Sequence, residues 1–515
     1  MQHLGDPEGA EESRRLLSAL LDARASWFLR EGRGGRCVEL RRGEWELRAA
    51  GRALVLSCRG DSGARSWRVR AWGAEGEALI LDTAGRAGAR PSTLWLVPRA
   101  LVASAREALA DARRAECERL AALVCRAAGA RLERATLSAG ARRGEPGRWA
   151  RVLFRRGRER VAATAPVVPA GAEDAESFLA SALLWLSRLE EGARAGAAVG
   201  GLWLVAPPAL AGAVRERVPL LRADLRSLVS VHEPDEEGGL IHTPAPTLEE
   251  LLEAPPQRPS RPARHAPQPM SELAASIAAL APEEIDCVRA RKGETLRYLG
   301  LAFARVRRVA GREQLWFGVE GRARRALSDE ACAEDFAKLL AELVAHRRPD
   351  APERRHALYR AAPEAWLEAL LRRDVTRLDA GLRLAPLHAQ FRAPRGAGPG
   401  AARPVDLLAL RRDGRLVVVE LKVSEDAALA LQGADYWRRV RAQQLAGRID
   451  GARLFGDAEV SDEPPLVYLA APMLRFHRSF YTLARCVRPE IEMYRLDLNE
   501  DWRSGVRVVR RARVV

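Results

Sequence analysis

The stretch PVDLLALRRDGRLVVVELK, residues 404–422, decides how this chain is read. Two apolar runs, Val405–Leu410 and Leu416–Val423, flank Arg411–Arg415, and the Asp413-Gly414 pair between them is a strong hairpin signal. Register then decides the chemistry. A two-residue loop at Asp413-Gly414 sets Asp406 opposite Leu421. A three-residue loop, Arg412-Asp413-Gly414 with Gly414 left-handed, sets Asp406 opposite Glu420, and this is the expected form. Residues i and i+2 of a strand share a face, so Asp406, Glu420 and Lys422 then stand together. The hairpin is otherwise apolar on both faces, which predicts a central place in a sheet covered on both sides. Charges there are costly unless they are paired or hold a metal. A partly buried acid–lysine salt bridge is the plain structural alternative.

Lys422 stands out against the composition. The chain has three lysines, at 292, 338 and 422, against eighty-one arginines. A position that keeps lysine in such a background points to a compact ammonium whose pKa can shift, which the fixed guanidinium fork cannot replace. Two carboxylates and one such lysine are the parts needed to hold a divalent metal and aim a water at a phosphodiester. On the helix expected over Ala427–Ala442, Gln432 and Tyr436 lie four residues apart and share a face. Both can hydrogen-bond a phosphate or a water.

This arrangement, Asp406, then Glu420-Leu421-Lys422 on the next strand, then Gln432-x3-Tyr436 on the next helix, resembles the PD-(D/E)XK nuclease superfamily in its RecB-like and NucS-like branches. The resemblance covers about residues 356–515, with its sharp motifs in 404–436. It implies that Asp406, Glu420 and the Leu421 carbonyl bind Mg²⁺ or Mn²⁺, that Lys422 orients or activates the attacking water, and that Gln432 and Tyr436 support substrate and metal. It also implies an acidic residue on the preceding helix, for which Glu368 is the candidate, with Glu364 behind it. The implied function is metal-dependent hydrolysis of DNA phosphodiester bonds in repair or defence. The alternative is a non-catalytic DNA-binding or scaffold protein built on the same fold. Endo- or exonucleolytic action, the preferred nucleic acid and the oligomeric state stay open.

The rest of the chain frames that domain. With 515 residues the chain is too long for one core, and its 47% hydrophobic and 30% charged residues describe a globular protein. A net charge of +16 permits a polyanionic partner, although arginine-rich composition alone also produces it. The expected class is mixed α/β, with a C-terminal restriction-endonuclease-like αβββαβ core, a degenerate copy of it in the N-terminal half and two strand-rich modules. The expected division is a strand-rich module over 1–100, a degenerate nuclease-like domain over 101–235, a proline-rich linker over 236–275, a small strand-rich module over 276–350 and the nuclease-like domain over 351–515. Echoing strings support the duplication: RWARVLFRRGRERVAA (148–163) with RPVDLLALRRDGRLVVVE (403–420), and LWLVAPP (202–208) with LVYLAAP (466–472). Under this alignment Arg151, Ala163 and Ala165 replace Asp406, Glu420 and Lys422, so the first copy has no carboxylates for a metal.

Seven scattered cysteines form no paired CxxC, which argues against a zinc site and for a reducing, cytoplasmic compartment. The uncharged stretch 195–214 has the length of a membrane span, but Gly200, Gly201, Pro207 and Pro208 inside it read as a buried strand and a turn. The basic residues Arg438, Arg439 and Arg441 and the arginine-rich tail are candidate phosphate contacts, and Trp437 a candidate base-stacking residue; ordinary core or surface is the competing reading of each.

Overall fold

A computed structural model of the chain describes all residues except 1, 4–6, 32–36, 61–62, 85–91, 99–101, 141–145, 193–197, 236, 254–269, 291–292, 310–311, 320–324, 327–329, 385–405, 452 and 515. The class is mixed α/β, with several sheets. The chain divides into two compact units: residues 1–170 with 234–240 and 320–322, and residues 171–233, 241–319 and 323–515. Most of the proline-rich linker, the expected strand Leu387–Arg392 and the glycine-rich runs 32–36 and 395–403 lie outside the described residues.

The first unit opens with the helix Pro7–Asp22 and an antiparallel sheet. Strand Ala78–Ala84 alternates strictly between buried and half-buried positions, as a sheet with one covered face requires. Leu17 and Leu21 of the helix join Trp27, Leu54, Leu56, Val69, Leu81 and Leu94 in one core. Three strands escape sequence reading, among them the two-residue Gln2–His3 that pairs with Gly63–Glu75. Ser26–Glu31 is short and carries an unbroken Trp-Phe-Leu run, and Trp45–Ala50 is an edge strand with only Leu47 fully buried. Helix Val102–Ala128 follows, then three antiparallel strands, Arg131–Ala139, Pro146–Arg156 and Glu159–Pro166. The hairpin between the last two turns on Gly157-Arg158, and its register sets Arg151 opposite Thr164, between Ala163 and Ala165.

In the second unit, residues 171–233 supply helix Ala175–Glu191, strand Val199–Val205, helices Pro208–Arg215 and Ala223–Leu228, and strand Val229–Pro234. The two strands pair in parallel. The stretch 195–214, as read from its glycines and prolines, contains a buried strand and a Pro-started helix. No described helix is long and apolar enough to cross a membrane. Strands Ile285–Ala290, Gly293–Tyr298, Leu301–Val309, Arg312–Phe317 and Arg325–Ala326 form an antiparallel meander, flanked by helices Glu272–Ala278 and Glu330–His346.

The last sheet has the strand order Arg383–Leu384, Leu407–Leu410, Leu416–Leu421, Leu466–Pro472, Met493–Leu498, Val508–Arg513. Helix Leu429–Leu445 makes the parallel crossover from Leu416–Leu421 to Leu466–Pro472, and the short helix Phe480–Ala484 lies in the next one. Every residue of Leu416–Leu421 and of Leu466–Pro472 is buried, because both faces are covered. The arginine-rich tail is not a loose basic arm: Val508–Arg513 is an edge strand antiparallel to Met493–Leu498.

The meander and this sheet share one apolar core, which includes Phe303, Phe317, Trp366, Leu371, Val419 and Tyr468. Arg347 joins them. Its buried guanidinium donates to the carbonyls of Tyr298, Leu299, Leu358, Ala361 and Ala362 and lies over the Trp366 ring. Two of these carbonyls belong to left-handed residues, Leu299 (φ 42°) and Ala362 (φ 39°), and Ala362 starts the helix Pro363–Arg373. The geometry of that helix start, just ahead of the two candidate acids, is thus pinned by a charge from outside it.

Candidate active site

The hairpin adopts the three-residue loop. Leu407 pairs with Val419 and Leu410 with Leu416. The Arg411 N–H donates to the Arg415 carbonyl (2.9 Å) and the Gly414 N–H to the Arg411 carbonyl (3.0 Å). Gly414 is left-handed at φ 81°. Continued by one step, this register sets Asp406 beside Glu420. The side chains bear this out: Asp406 Oδ2 accepts the Leu421 N–H at 2.8 Å, and Lys422 Nζ donates to Glu420 Oε1 at 2.8 Å.

Glu420 is 2% exposed, and its second oxygen, Oε2, is buried without a hydrogen-bond partner. From the crossover helix, Gln432 donates through Nε2 to Asp426 at 3.2 Å, while its buried Oε1 also lacks a partner. Asp426, which no sequence motif singles out, also accepts the Ala428 N–H at the start of that helix (2.8 Å). Tyr436 is buried one turn beyond Gln432. Burial pushes its phenol pKa up, and the charges of Glu420 and Asp406 push it further.

The two acids carry the electrostatic signature of a shared site. Burial raises Asp406 well above the ordinary aspartate value, and the Glu420 charge raises it further. Glu420 is raised as well, chiefly by burial, against the pull of Lys422. For Lys422, burial works against the ammonium, but attraction to Glu420, their hydrogen bond, and the fields of Glu364 and Asp406 outweigh it. Its pKa stays above the ordinary lysine value. At neutral pH the site therefore holds a charged lysine and two crowded carboxyls that gain from a further cation.

Both candidate acids of helix Pro363–Arg373 act on this site, by different routes. Glu364 acts on Glu420 and Lys422, and Glu368 acts on Asp406. Glu368 is also paired with Arg372 at 2.6 Å, and Arg372 donates to the Asp406 backbone carbonyl at 2.8 Å. Arg372 thus ties the acidic helix to the hairpin; its i+4 spacing from Glu368 was the available signal.

Orphaned oxygens on Glu420 and Gln432, two carboxyls held close, and an adjacent backbone carbonyl at Leu421 suit a hard cation that retains several waters, as Mg²⁺ does. Among the described residues no group of three or more His, Cys, Asp or Glu side chains is gathered to hold a metal, so a cation here would rely on oxygen ligands beyond side-chain acids.

Other basic and aromatic candidates near the motif are used structurally. Arg438 and Arg439 are buried against Asp435, and Trp437 is 4% exposed. Arg441 donates to the Asp462 carbonyl and to Gln444. In the tail, Arg511 bonds Asp379 and the Tyr468 hydroxyl. His477 accepts the Ser479 N–H. Comparison with protein-family models, curated proteins and solved structures gave no match.

Proposed function

We propose that the chain is a metal-dependent nuclease that hydrolyses DNA phosphodiester bonds, and that its last sheet and crossover helix form a PD-(D/E)XK-type core. The observation that carries this reading is the close placement of Asp406, Glu420 and Lys422, with buried oxygens on Glu420 and on Gln432 of the crossover helix left unbonded. A divalent cation would give these oxygens the partner that the protein's own donors do not.

Asp406, Glu420 and the Leu421 carbonyl would hold Mg²⁺ or Mn²⁺, which supplies Lewis acidity at the scissile phosphate. The protein's own groups do the rest. Lys422, held charged by Glu420, stabilises negative charge that grows on the phosphate. Gln432 would give its unbonded Oε1 to a water or cation, while Asp426 holds its amide. Glu364 and Glu368 deepen the negative potential that draws the cation in.

Residues 101–235 fit the non-catalytic reading. At the positions aligned with Asp406, Glu420 and Lys422 this hairpin carries Arg151, Ala163 and Ala165, with Thr164 opposite Arg151, so no carboxylate stands there to bind a metal. The test is a panel of duplex, single-stranded and branched DNA and of RNA, incubated with Mg²⁺ or Mn²⁺. Cleavage by the native chain, absent in Asp406→Ala with unchanged circular dichroism, supports the proposal. Cleavage equal in both proteins refutes the site, and cleavage by neither refutes the activity.

A further inference from the structure

Residues 171–233 and 427–498 run through the same order of helix, strand, helix and strand within the second unit. They meet ahead of the last strand of each, at Leu221 before the helix Ala223–Leu228 and at Val487 after the helix Phe480–Ala484. Leu221 and Val487 form an isolated antiparallel bridge. The Arg222 N–H donates to the Cys486 carbonyl and the Arg488 N–H to the Leu220 carbonyl, both at 2.9 Å. This reciprocal pair is the hydrogen-bond pattern of a single antiparallel bridge.

The bridge lies in a cleft of about 560 Å³, whose walls carry Arg222, Arg226, Arg485 and Arg488. Glu490 is the acid in its lining. Arg488 pairs with Glu490 at 3.1 Å, and Arg222 with Asp224 at 2.9 Å, both acids being about 60% exposed. Such pairs contribute little in water and exchange readily for a better anion. Arg226 and Arg485 are exposed. The cleft is also tied to the catalytic helix: Arg217, four residues before Leu221, donates to Asp435, which lies between Gln432 and Tyr436.

We propose that this four-arginine cleft binds the phosphodiester backbone of the nucleic acid cut at Asp406 and Glu420. Guanidinium forks match phosphate oxygens two at a time, and four of them with one lining acid favour a polyanion. The buried pair of Arg217 with Asp435 would link the bound strand to the helix that carries Gln432 and Tyr436. The inference rests on the nuclease reading for the fate of the bound strand, but not for binding itself.

The experiment is fluorescence anisotropy of a labelled DNA duplex titrated with the full chain in EDTA, where no cutting occurs, over a series of salt concentrations. Arg222→Gln/Arg485→Gln is expected to bind about ten- to a hundred-fold more weakly at ~100 mM salt, with a salt slope smaller by about two. Both side chains are exposed, so an unchanged melting temperature is expected; should this pair fail to fold, Arg226→Gln/Arg488→Gln must give the same direction. Unchanged affinity and slope in a folded double variant overturn the proposal. So does a variant that loses calorimetric binding of inorganic tripolyphosphate while keeping DNA, since the ligand would then be a free polyphosphate. A cleft-dependent affinity without any cleavage by the native chain would sink the nuclease reading and leave the cleft standing.

Discussion

Replacing Arg217 by alanine tests how the two halves of the second unit are held together. Its guanidinium side chain is 2% exposed. It donates to Glu176 Oε1 from Nε (3.0 Å) and Nη2 (2.6 Å), to Asp435 Oδ2 from Nη2 (3.0 Å), and to the Ala213 carbonyl from Nη1 (2.6 Å). Asp435 would keep Arg438 and Arg439. The loss therefore falls on Glu176, whose buried carboxylate would face the interior without this guanidinium. Removing one member of a buried ion pair costs about 3–5 kcal/mol. Urea unfolding followed by tryptophan fluorescence should show a loss of that size in Arg217→Ala. In that background Glu176→Gln should recover more than half of it, because a neutral amide needs no counter-charge. A cost under ~1 kcal/mol, or no recovery in the double variant, would refute the reasoning that this cluster is a charge-balanced unit.

Lys422→Ala should lower the cleavage rate by about 10²–10⁴-fold with the fold intact, and Lys422→Arg should not restore it, because the planar fork cannot take the place of the ammonium; single-turnover rates beside circular dichroism check both. In EDTA, stability should fall as pH rises through the elevated pKa values of Asp406 and Glu420. Both carboxyls are protonated in folded and unfolded chains at low pH. Above the ordinary carboxylate range only the unfolded chain ionises them freely. Mg²⁺ at neutral pH should raise the melting temperature, and Asp406→Asn should abolish that rise. Gly300→Ala should cost at least ~2 kcal/mol, since φ is 81° and an added Cβ would lie 1.9 Å from the Ala365 carbonyl oxygen. Ala365 adjoins Glu364, so cleavage should drop as well; melting and rate measurements on one preparation check both.

The hairpin was legible because its turn chemistry admits few registers. Gly414 could take the left-handed position, and that choice alone put Asp406 beside Glu420. The covered position of the hairpin followed from its valines. Arg438 and Arg439 were less legible. A run of arginines on a helix reads as a wet face, although Asp435 three and four residues earlier was a local cue for pairing. Arg217, more than two hundred residues away, gave none, since a tertiary ion pair leaves no spacing in the sequence. The tail reads as a basic arm because arginine dominates it, yet Val508–Arg513 needs only backbone pairing to form an edge strand. Arg347 looks like any other arginine until five carbonyls are seen converging on it.

A nuclease of this kind requires Asp406 and Glu420 to share one divalent cation. Electron paramagnetic resonance of Mn²⁺ titrated into the native chain, into Asp406→Asn and into Glu420→Gln tests it without reference to any substrate. One bound Mn²⁺ per chain, displaced by Mg²⁺ and lost in both variants, is the expected result; free Mn²⁺ at every ratio in the native chain, or equal binding in all three proteins, contradicts it.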